Sequence, residues 1–166
     1  MAILKVLNKA GKYRDVNARE DVARYILDFS KMCNHYFGGV GVTEDIVGSM
    51  NEVAMRFGKT NGVQLRHFVL SFPPEELDDP EEVNEIACEI ARFLGQEYQT
   101  IFAVHENTEN LHIHFMHNSV SYRDGYKYKG NKEQYYNLVN FATKLLRHNY
   151  GIPLKTVSCK SDEDIQ

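Results

Sequence analysis

The sequence predicts an α+β domain, built on an antiparallel sheet that carries helices on one face and leaves the other face open. Two observations predict this class. Short runs rich in β-branched and aromatic residues are separated by segments in which apolar residues recur at helical spacing. The runs are joined either by short turn-forming stretches or through those helices, as in an antiparallel sheet with helices packed against it.

Each predicted element rests on a local pattern. Strands are predicted where β-branched and aromatic residues cluster, at 3–8, 66–72, 98–104 and 111–120. Helices are predicted where apolar residues repeat at helical spacing, at 18–32, 43–57, 79–95 and 132–150. The third helix has the clearest start, because Asp79 suits the N-cap and Pro80 the first helical position. Residues 36–42 indicate a loop or bent strand, and residues 122–128 a turn leading into a short edge strand.

Length and composition favour one domain. The 166 residues suffice for one well-packed core and are few for two. We expect residues 1–155 to form that domain and the acidic residues 156–166 to form a disordered tail. No apolar run approaches the roughly 20 residues of a membrane span, and the N-terminus lacks the apolar core of a signal peptide. We therefore expect a cytoplasmic protein with no membrane insertion.

Three histidines flank the turn between the last two predicted strands. Pairing those strands about residues 107–110 sets His105 opposite His112, and His114 shares their face because side chains alternate along a strand. Neutral imidazole is a common ligand of divalent transition metals, and three of them leave coordination positions for water or substrate. The pattern predicts a metal site on the open face. The other histidines lack this spacing and are assigned ordinary structural or surface roles: His35, His67, His117 and His148.

Charge is unevenly distributed along the chain, although its net value is only −4. Residues 71–111 carry eleven Asp or Glu and one Lys or Arg, and a solvated helix face explains that block. Residues 112–160 carry eight Lys or Arg and two Asp or Glu. This second block follows the histidines and allows a basic surface beside the histidine face, of the kind that binds a polyanion.

These features resemble the relaxases, the mobilisation nucleases of conjugative plasmids and integrative elements, in their VirD2/MobA-like branch with an HUH-type endonuclease domain. That family carries a His-x-Asp-x-x-x-x-His-x-His metal motif, and His105, His112 and His114 fall on its histidines with the same spacing. Residues 56–72 resemble the segment ahead of that motif, and residues 118–128 resemble the segment behind it. The likeness runs from about residue 3 to residue 152.

The chain departs from the family motif at one position. Asn107 stands where the family has an aspartate that supports a ligand histidine. A carboxylate fixes the tautomer of such a histidine and raises its basicity, and an amide does this more weakly. We therefore expect Glu106 and Asn107 to support the histidines, with Glu109 of the same turn as a further candidate.

The resemblance implies a reaction as well as a fold. In the family, a tyrosine near the N-terminus attacks a phosphodiester of single-stranded DNA at an origin of transfer and becomes joined to the 5′ end, with help from a divalent metal, most often Mn²⁺ or Mg²⁺. The matching segment is residues 25–31, so Tyr25 is the expected nucleophile. The residues alone favour core packing for Tyr25, which lies on an apolar helix face, and they leave Tyr13 and Tyr36 as alternatives.

The resemblance also implies partners, namely origin DNA, accessory mobilisation proteins and a coupling protein. The candidates for the DNA backbone are Arg66, Arg123, Lys127, Lys129 and Lys132. The candidates for base stacking are Tyr122, Tyr126 and Tyr128. Two other functions stay open from the residues: a metal-dependent nuclease that forms no covalent intermediate, and a DNA-binding module without catalysis.

Overall fold

The computed structural model describes residues 1–7 and 11–159. Within these residues the strands are β1 (Ala2–Leu7), β2 (Met32–Val40), β3 (Leu65–Phe72), β4 (Thr100–His105), β5 (Leu111–Asn118) and β6 (Leu154–Cys159). The helices are α1 (Ala18–Ile26), α2 (Ile46–Arg56), α3 (Pro80–Leu94) and α4 (Lys132–Tyr150), together with a short 3₁₀ helix at Lys12–Arg14. The predicted α+β class is confirmed.

One six-stranded sheet, in the order β2-β4-β5-β3-β1-β6, forms the centre of the domain. Its inner strands β4 and β5 make the predicted hairpin, whose register places His105 opposite His112. All neighbouring strands are antiparallel except β1 and β6, which run parallel. The sheet is therefore mixed, because its last strand arrives after a long helix and not through a hairpin.

Helices α3 and α4 cover one face of the sheet. The hairpin presents Phe102, Val104, Ile113 and Phe115 to this face, where they are buried. The helices contribute Val83, Ile86, Ala87, Ile90, Ala91, Leu94, Leu138, Ala142 and Leu146. Burying one such large apolar side chain stabilises the fold by about 1.5–3 kcal/mol, so this core holds the hairpin firmly from behind.

Helices α1 and α2 lie on the opposite face, which the sequence predicted to be open. The central strands contribute Ile101, Ala103 and Met116 to this second core, and the helices contribute Ala18, Val22, Ala23, Ile26 and Met50. The prediction that helices pack on only one face of the sheet is therefore wrong. The central strands are apolar on both faces apart from the histidines, and a sheet of that kind needs cover on both sides.

Helix α1 is shorter than predicted. It ends at Ile26, and the next strand already begins at Met32, where the prediction continued the helix. Between them the Asp28 carboxylate accepts hydrogen bonds from the amide and hydroxyl groups of Ser30, at 3.0 and 2.7 Å, and pairs with Lys31 at 2.8 Å. An aspartate that binds the backbone two residues later stabilises a turn in competition with a helix.

Strand β6 follows α4 and pairs with β1 along its whole length. The predicted domain boundary at residue 155 falls inside this strand, so the sheet continues into the segment that the sequence assigned to a tail. Residues 160–166 of that tail, and Asn8 of the first predicted strand, lie outside the described residues. In the described part of the chain, no helix has the length and apolar character that crossing a membrane requires.

Candidate metal centre

Three histidines converge on the face that carries α1. His105 ends β4, and His112 and His114 lie on β5 with their side chains on the same side of the sheet. One ring nitrogen from each falls within 4.8 Å of the others, and all three side chains are buried. The predicted cluster is therefore present, and its geometry allows one ion to contact all three rings.

The ring of His105 is held by the main chain of α1. Its Nε2 lies 2.7 Å from the carbonyl oxygen of Ile26, so Nε2 carries the proton and donates it. The other nitrogen, Nδ1, is buried and has no hydrogen-bond partner among the described residues. A buried nitrogen left with a free lone pair costs stability unless something binds it, and a metal ion would do so.

The ring of His112 is held by the hairpin turn. Its Nδ1 lies 2.9 Å from the carbonyl oxygen of Asn110, and the hydroxyl group of Thr108 is 3.4 Å away. The carbonyl can only accept, so Nδ1 of His112 donates. Nε2 is then the nitrogen that remains as a ligand.

The ring of His114 is held by another side chain. Its Nδ1 lies 2.8 Å from Nε2 of His67 on β3, and both rings are buried. This contact leaves Nε2 of His114 for a ligand. Each histidine of the cluster thus has one nitrogen bound to the protein and one left over, which is the usual arrangement of histidines that bind a metal.

Burial lowers the pKa of all three histidines below the ordinary value. For His114 the pKa lies well below it, because neighbouring imidazoles add to the effect of burial. For His105 and His112 burial is again the main cause, and for His112 the charge of Lys5 lowers the pKa further. Neutral imidazole is the form that binds metal, so the cluster fits a divalent ion at neutral pH.

Tyr25 of α1 stands beside the cluster. Its ring centroid lies 5.3 Å from that of His114 and 6.0 Å from that of His105, and the residue is 43% exposed. The ammonium group of Lys31 lies 5.1 Å from the same ring. Core packing, which the helical pattern alone favoured for Tyr25, is therefore not its environment.

The two alternative tyrosines lie elsewhere. Tyr13 is buried in the 3₁₀ helix, with its hydroxyl oxygen 3.2 Å from Nδ1 of His67. Tyr36 lies on β2 and packs against the core beneath α3 and α4, on the face away from the histidines. Of the three candidates, Tyr25 is the one whose ring faces two of the clustered histidines and is accessible from solvent.

A pocket of about 400 Å³ opens beside the cluster. It is lined by Lys5, Leu7, Tyr25, Val69, Ser71, residues 107–110, His112 and His114. Lys5 has no ion-pair partner within the described part of the chain and supplies a positive charge to this wall. The pocket therefore suits an anionic group that reaches the histidines.

The residues expected to support the histidines occupy other places. Glu106 is exposed and lies near the thiol of Cys33, whose pKa is raised to about 11 mainly by burial and further by Glu106. Asn107 is exposed and lines the pocket. Because side chains alternate along the strand, the residue after His105 starts on the opposite side of the sheet. Among the described contacts, the bonds that orient the three rings come from elsewhere.

Three of the basic residues expected at DNA lie together at the start of β3. Arg66 donates to the carbonyl oxygens of Tyr128 and Lys129 at 3.3 and 3.2 Å, and Lys127 donates to those of Asn61 and Val63 at 3.0 and 2.8 Å. Burial lowers the pKa of Lys127, and so do the nearby positive charges of Arg19, Arg66, Lys59 and Arg14. This end of the sheet is therefore a concentrated positive patch.

Arg123 is not part of that patch. Its Nε donates to the carbonyl oxygen of Gln96 just after α3, and its guanidinium group lies 5.6 Å from the ring of Tyr122. The ammonium group of Lys129, by contrast, lies over the ring of Tyr126 at 5.4 Å. Of the five basic residues expected at DNA, three thus lie together, Arg123 lies apart from them, and Lys132 is the exposed first residue of α4.

His67, Lys5 and Lys31 are the functional candidates that the sequence argument missed. His67 is opposite Met116 in the pairing of β3 with β5, which makes it the diagonal neighbour of His114. Pairing β3 with β5 from the sequence would have placed His67 on the histidine face by simple alternation. That pairing sets His67 opposite a residue 49 positions later in the chain, and no local sequence pattern indicates it.

Comparison with known proteins gives a consistent result. A family model described as the nuclease domain of MobA/VirD2-like relaxases matches residues 25–152. The protein rlx of Staphylococcus aureus is 40% identical over 78 residues, which cover 47% of this chain and 24% of that protein. The group II intron-interrupted relaxase LtrB of Lactococcus lactis is 35% identical over 68 residues, which cover 40% of this chain and 12% of that protein. The chain thus spans a quarter or less of these relatives.

The fold also has a solved counterpart. A structure determined in work on the molecular basis of vancomycin resistance transfer in Staphylococcus aureus matches with a TM-score of 0.51. The alignment covers 78% of each chain at 20% sequence identity. At this identity the likeness extends to the fold alone.

Proposed function

The chain belongs to the MobA/VirD2-like relaxase nuclease family, and from that premise we propose that it nicks one strand of DNA at the origin of transfer of a mobile element. The proposed nucleophile is Tyr25, and the product is a 5′-phosphotyrosine joined to single-stranded DNA. The observation that carries this proposal is the half-exposed ring of Tyr25 beside two of the three clustered histidines.

The cluster would hold a divalent ion through Nδ1 of His105, Nε2 of His112 and Nε2 of His114, the three nitrogens left by the hydrogen bonds to the protein. When bound, such an ion supplies positive charge to the scissile phosphate as negative charge develops in the transition state. We propose Mn²⁺ or Mg²⁺, and the donor set favours Mn²⁺ because Mg²⁺ prefers oxygen ligands.

In the proposed reaction the phenolic oxygen of Tyr25 forms a bond to phosphorus, and the bond from phosphorus to the 3′-oxygen breaks. In the overall balance the phenolic proton ends on the 3′-hydroxyl group. One phosphodiester replaces another of similar energy, so the step is reversible and allows the strand to be rejoined. The positive charge of Lys31, whose ammonium group lies 5.1 Å from the centre of the Tyr25 ring, stabilises the negative charge that forms on the phenolic oxygen.

The rest of the strand would lie along positively charged protein surface. Lys5 in the pocket is placed to contact the phosphate that reaches the histidines. The patch of Arg66, Lys127 and Lys129 is placed at the start of β3 to contact phosphates farther along, with the exposed ring of Tyr126 available for stacking. Tyr128, which the sequence also offered for stacking, is buried against His117. We further propose that the protein acts in the cytoplasm, together with accessory mobilisation proteins and a coupling protein.

A single assay separates this function from its two alternatives. Single-stranded oligonucleotides tiled across the DNA that flanks the gene are incubated with the protein and Mn²⁺, and the products are separated on a denaturing gel. Covalent protein–DNA adduct supports the relaxase function. Free cleavage products without adduct indicate a nuclease that forms no covalent intermediate, and association without cleavage indicates a binding module.

Tyr25→Phe tests the nucleophile in the same assay. The substitution removes the phenolic oxygen and keeps the ring, so Mn²⁺ binding and DNA association should persist while adduct formation falls to background. Tyr36→Phe is the matched control, because its ring packs on the face away from the histidines, and it should form adduct like the parent. Adduct at the parental yield in Tyr25→Phe would assign the nucleophile to another residue.

A further inference from the structure

The three clustered histidines are not held in the same way. His105 and His112 each donate to a main-chain carbonyl oxygen, one at the end of α1 and the other in the hairpin turn. His114 instead contacts the side chain of His67, at 2.8 Å. Its orientation therefore depends on a residue that is itself able to rotate and to exchange protons between two nitrogens.

A second side chain lies behind His67. The hydroxyl oxygen of Tyr13 is 3.2 Å from Nδ1 of His67, and the two rings meet edge to face with centroids 6.1 Å apart. Tyr13 and His67 are both buried. Tyr13 is held in turn by the main chain, since its carbonyl oxygen accepts a hydrogen bond from the amide of Gln64 at 2.7 Å. The 3₁₀ helix is thus fixed to the start of β3.

Metal binding by His114 determines which ring nitrogen carries the proton in His114 and in His67. Nε2 of His114 can bind an ion only when it carries no proton, so a neutral His114 carries its proton on Nδ1. That proton is donated to Nε2 of His67, which must then be the unprotonated nitrogen of its ring. His67 accordingly carries its own proton on Nδ1 and donates it to the hydroxyl oxygen of Tyr13.

We propose that Tyr13 and His67 form a relay that positions His114 and keeps its proton on Nδ1, so that Nε2 is ready for the metal. This inference rests on the metal site of the proposed function. It makes His67 a positioning residue, which acts through His114 and does not itself contact the ion. It also gives Tyr13, one of the alternative nucleophiles, a structural task in supporting His67.

Paired substitutions at His67 test the relay by Mn²⁺ calorimetry on the full chain without DNA. Removing the partner of a ligand histidine weakens metal binding by about 10- to 100-fold, and we expect this loss in His67→Leu, which fills space but accepts no hydrogen bond. His67→Gln should retain most of the affinity, because its amide oxygen can accept from Nδ1 of His114. Tyr13→Phe should show a smaller loss than His67→Leu.

The control is His117→Leu, which changes a buried histidine of the same sheet that faces the other core. It should bind Mn²⁺ like the parent. Thermal unfolding of the metal-free variants establishes that each is folded. Equal affinity in His67→Leu and the parent overturns the relay, and so does an equal loss in His67→Leu and His67→Gln, because packing alone would then explain the effect.

The outcome is independent of the nicking assay. Loss of Mn²⁺ affinity in His67→Leu with rescue in His67→Gln supports the relay even if the parent forms no adduct with DNA. A parent that forms the adduct, combined with His67→Leu binding Mn²⁺ at parental affinity, overturns the relay and leaves the proposed function standing.

Discussion

His114 and His117 lie three residues apart on β5, and they face opposite sides of the sheet. Both are buried, and burial lowers the pKa of each, for His114 well below the ordinary value and for His117 to about 4. His114 faces two other histidines of the cluster, whereas His117 packs among the rings of Phe68, Tyr98 and Tyr128. Position on the strand therefore decides which histidine can bind a metal.

A free ring nitrogen does not by itself make a metal ligand. His117 donates from Nδ1 to the carbonyl oxygen of Asn118 at 2.8 Å, and its Nε2 is buried without a partner among the described residues. Nδ1 of His105 is in the same condition. The difference is that a ring nitrogen of His105 lies within 4.8 Å of ring nitrogens of two other histidines, whereas the ring of His117 packs among aromatic rings. Convergence of donors, and not burial, identifies the site.

The same substitution at the two positions should give opposite results. His114→Ala removes a ligand, and we expect Mn²⁺ affinity to fall at least about 100-fold, more than the loss of a supporting partner causes. His117→Ala should bind Mn²⁺ like the parent, but the cavity in the aromatic core should lower the free energy of unfolding by about 2–4 kcal/mol. Calorimetry and urea denaturation measure the two effects, and a weakened metal affinity in His117→Ala would contradict the comparison.

The sequence predicts some features of the histidine site better than others. The register of the β4–β5 hairpin follows from a turn four residues long, and alternation then places His105, His112 and His114 together. The role of His67 depends on the pairing of β3 with β5, which only the complete sheet establishes. The environment of Tyr25 was mispredicted from the helical pattern alone, because that pattern does not show that α1 lies across the histidine face.

Two other differences between the prediction and the structure have identifiable causes. The turn at Asp28 ended α1 earlier than hydrophobic periodicity indicated, since its side chain competes for the backbone groups of Ser30. β6 lacks the strong apolar character of the central strands, and it forms a strand because β1 offers a free edge beside it. Both cases show tertiary or side-chain contacts overriding a weak local pattern.

The free energy of unfolding should depend on pH through the titration of His117. The folded pKa of His117 is about 4 and that of an unfolded histidine about 6.5, so its stabilising contribution is complete above pH 6.5 and is lost as the pH falls toward 4. Between pH 7 and pH 5 this loss amounts to about 2 kcal/mol. His117→Asn keeps a donor near the Asn118 carbonyl but cannot titrate, so its unfolding free energy should fall by that much less over the same interval.

Comparing the parent with His117→Asn controls for the titration of the other histidines. The clustered histidines also have lowered pKa values and contribute a loss of the same sign, but they contribute it equally to the parent and to His117→Asn. Urea denaturation at pH 7, 6 and 5 provides the two curves. Parallel curves for the two proteins would mean that His117 titrates in the folded state as it does when unfolded.

The smallest expected effect concerns the metal site itself between pH 7 and pH 6. Three imidazoles with the ordinary pKa would lose metal affinity by about 30-fold over this interval, because each must be unprotonated to bind. The pKa values of His105, His112 and His114 are lowered, so protons compete only at lower pH, and we expect a loss below about 10-fold. Calorimetry with Mn²⁺ at pH 7 and pH 6 decides between the two. A loss of 30-fold or more would show that the cluster is as accessible to protons as exposed histidines, and the contrast between buried ligand and buried core histidine would then lose its electrostatic basis.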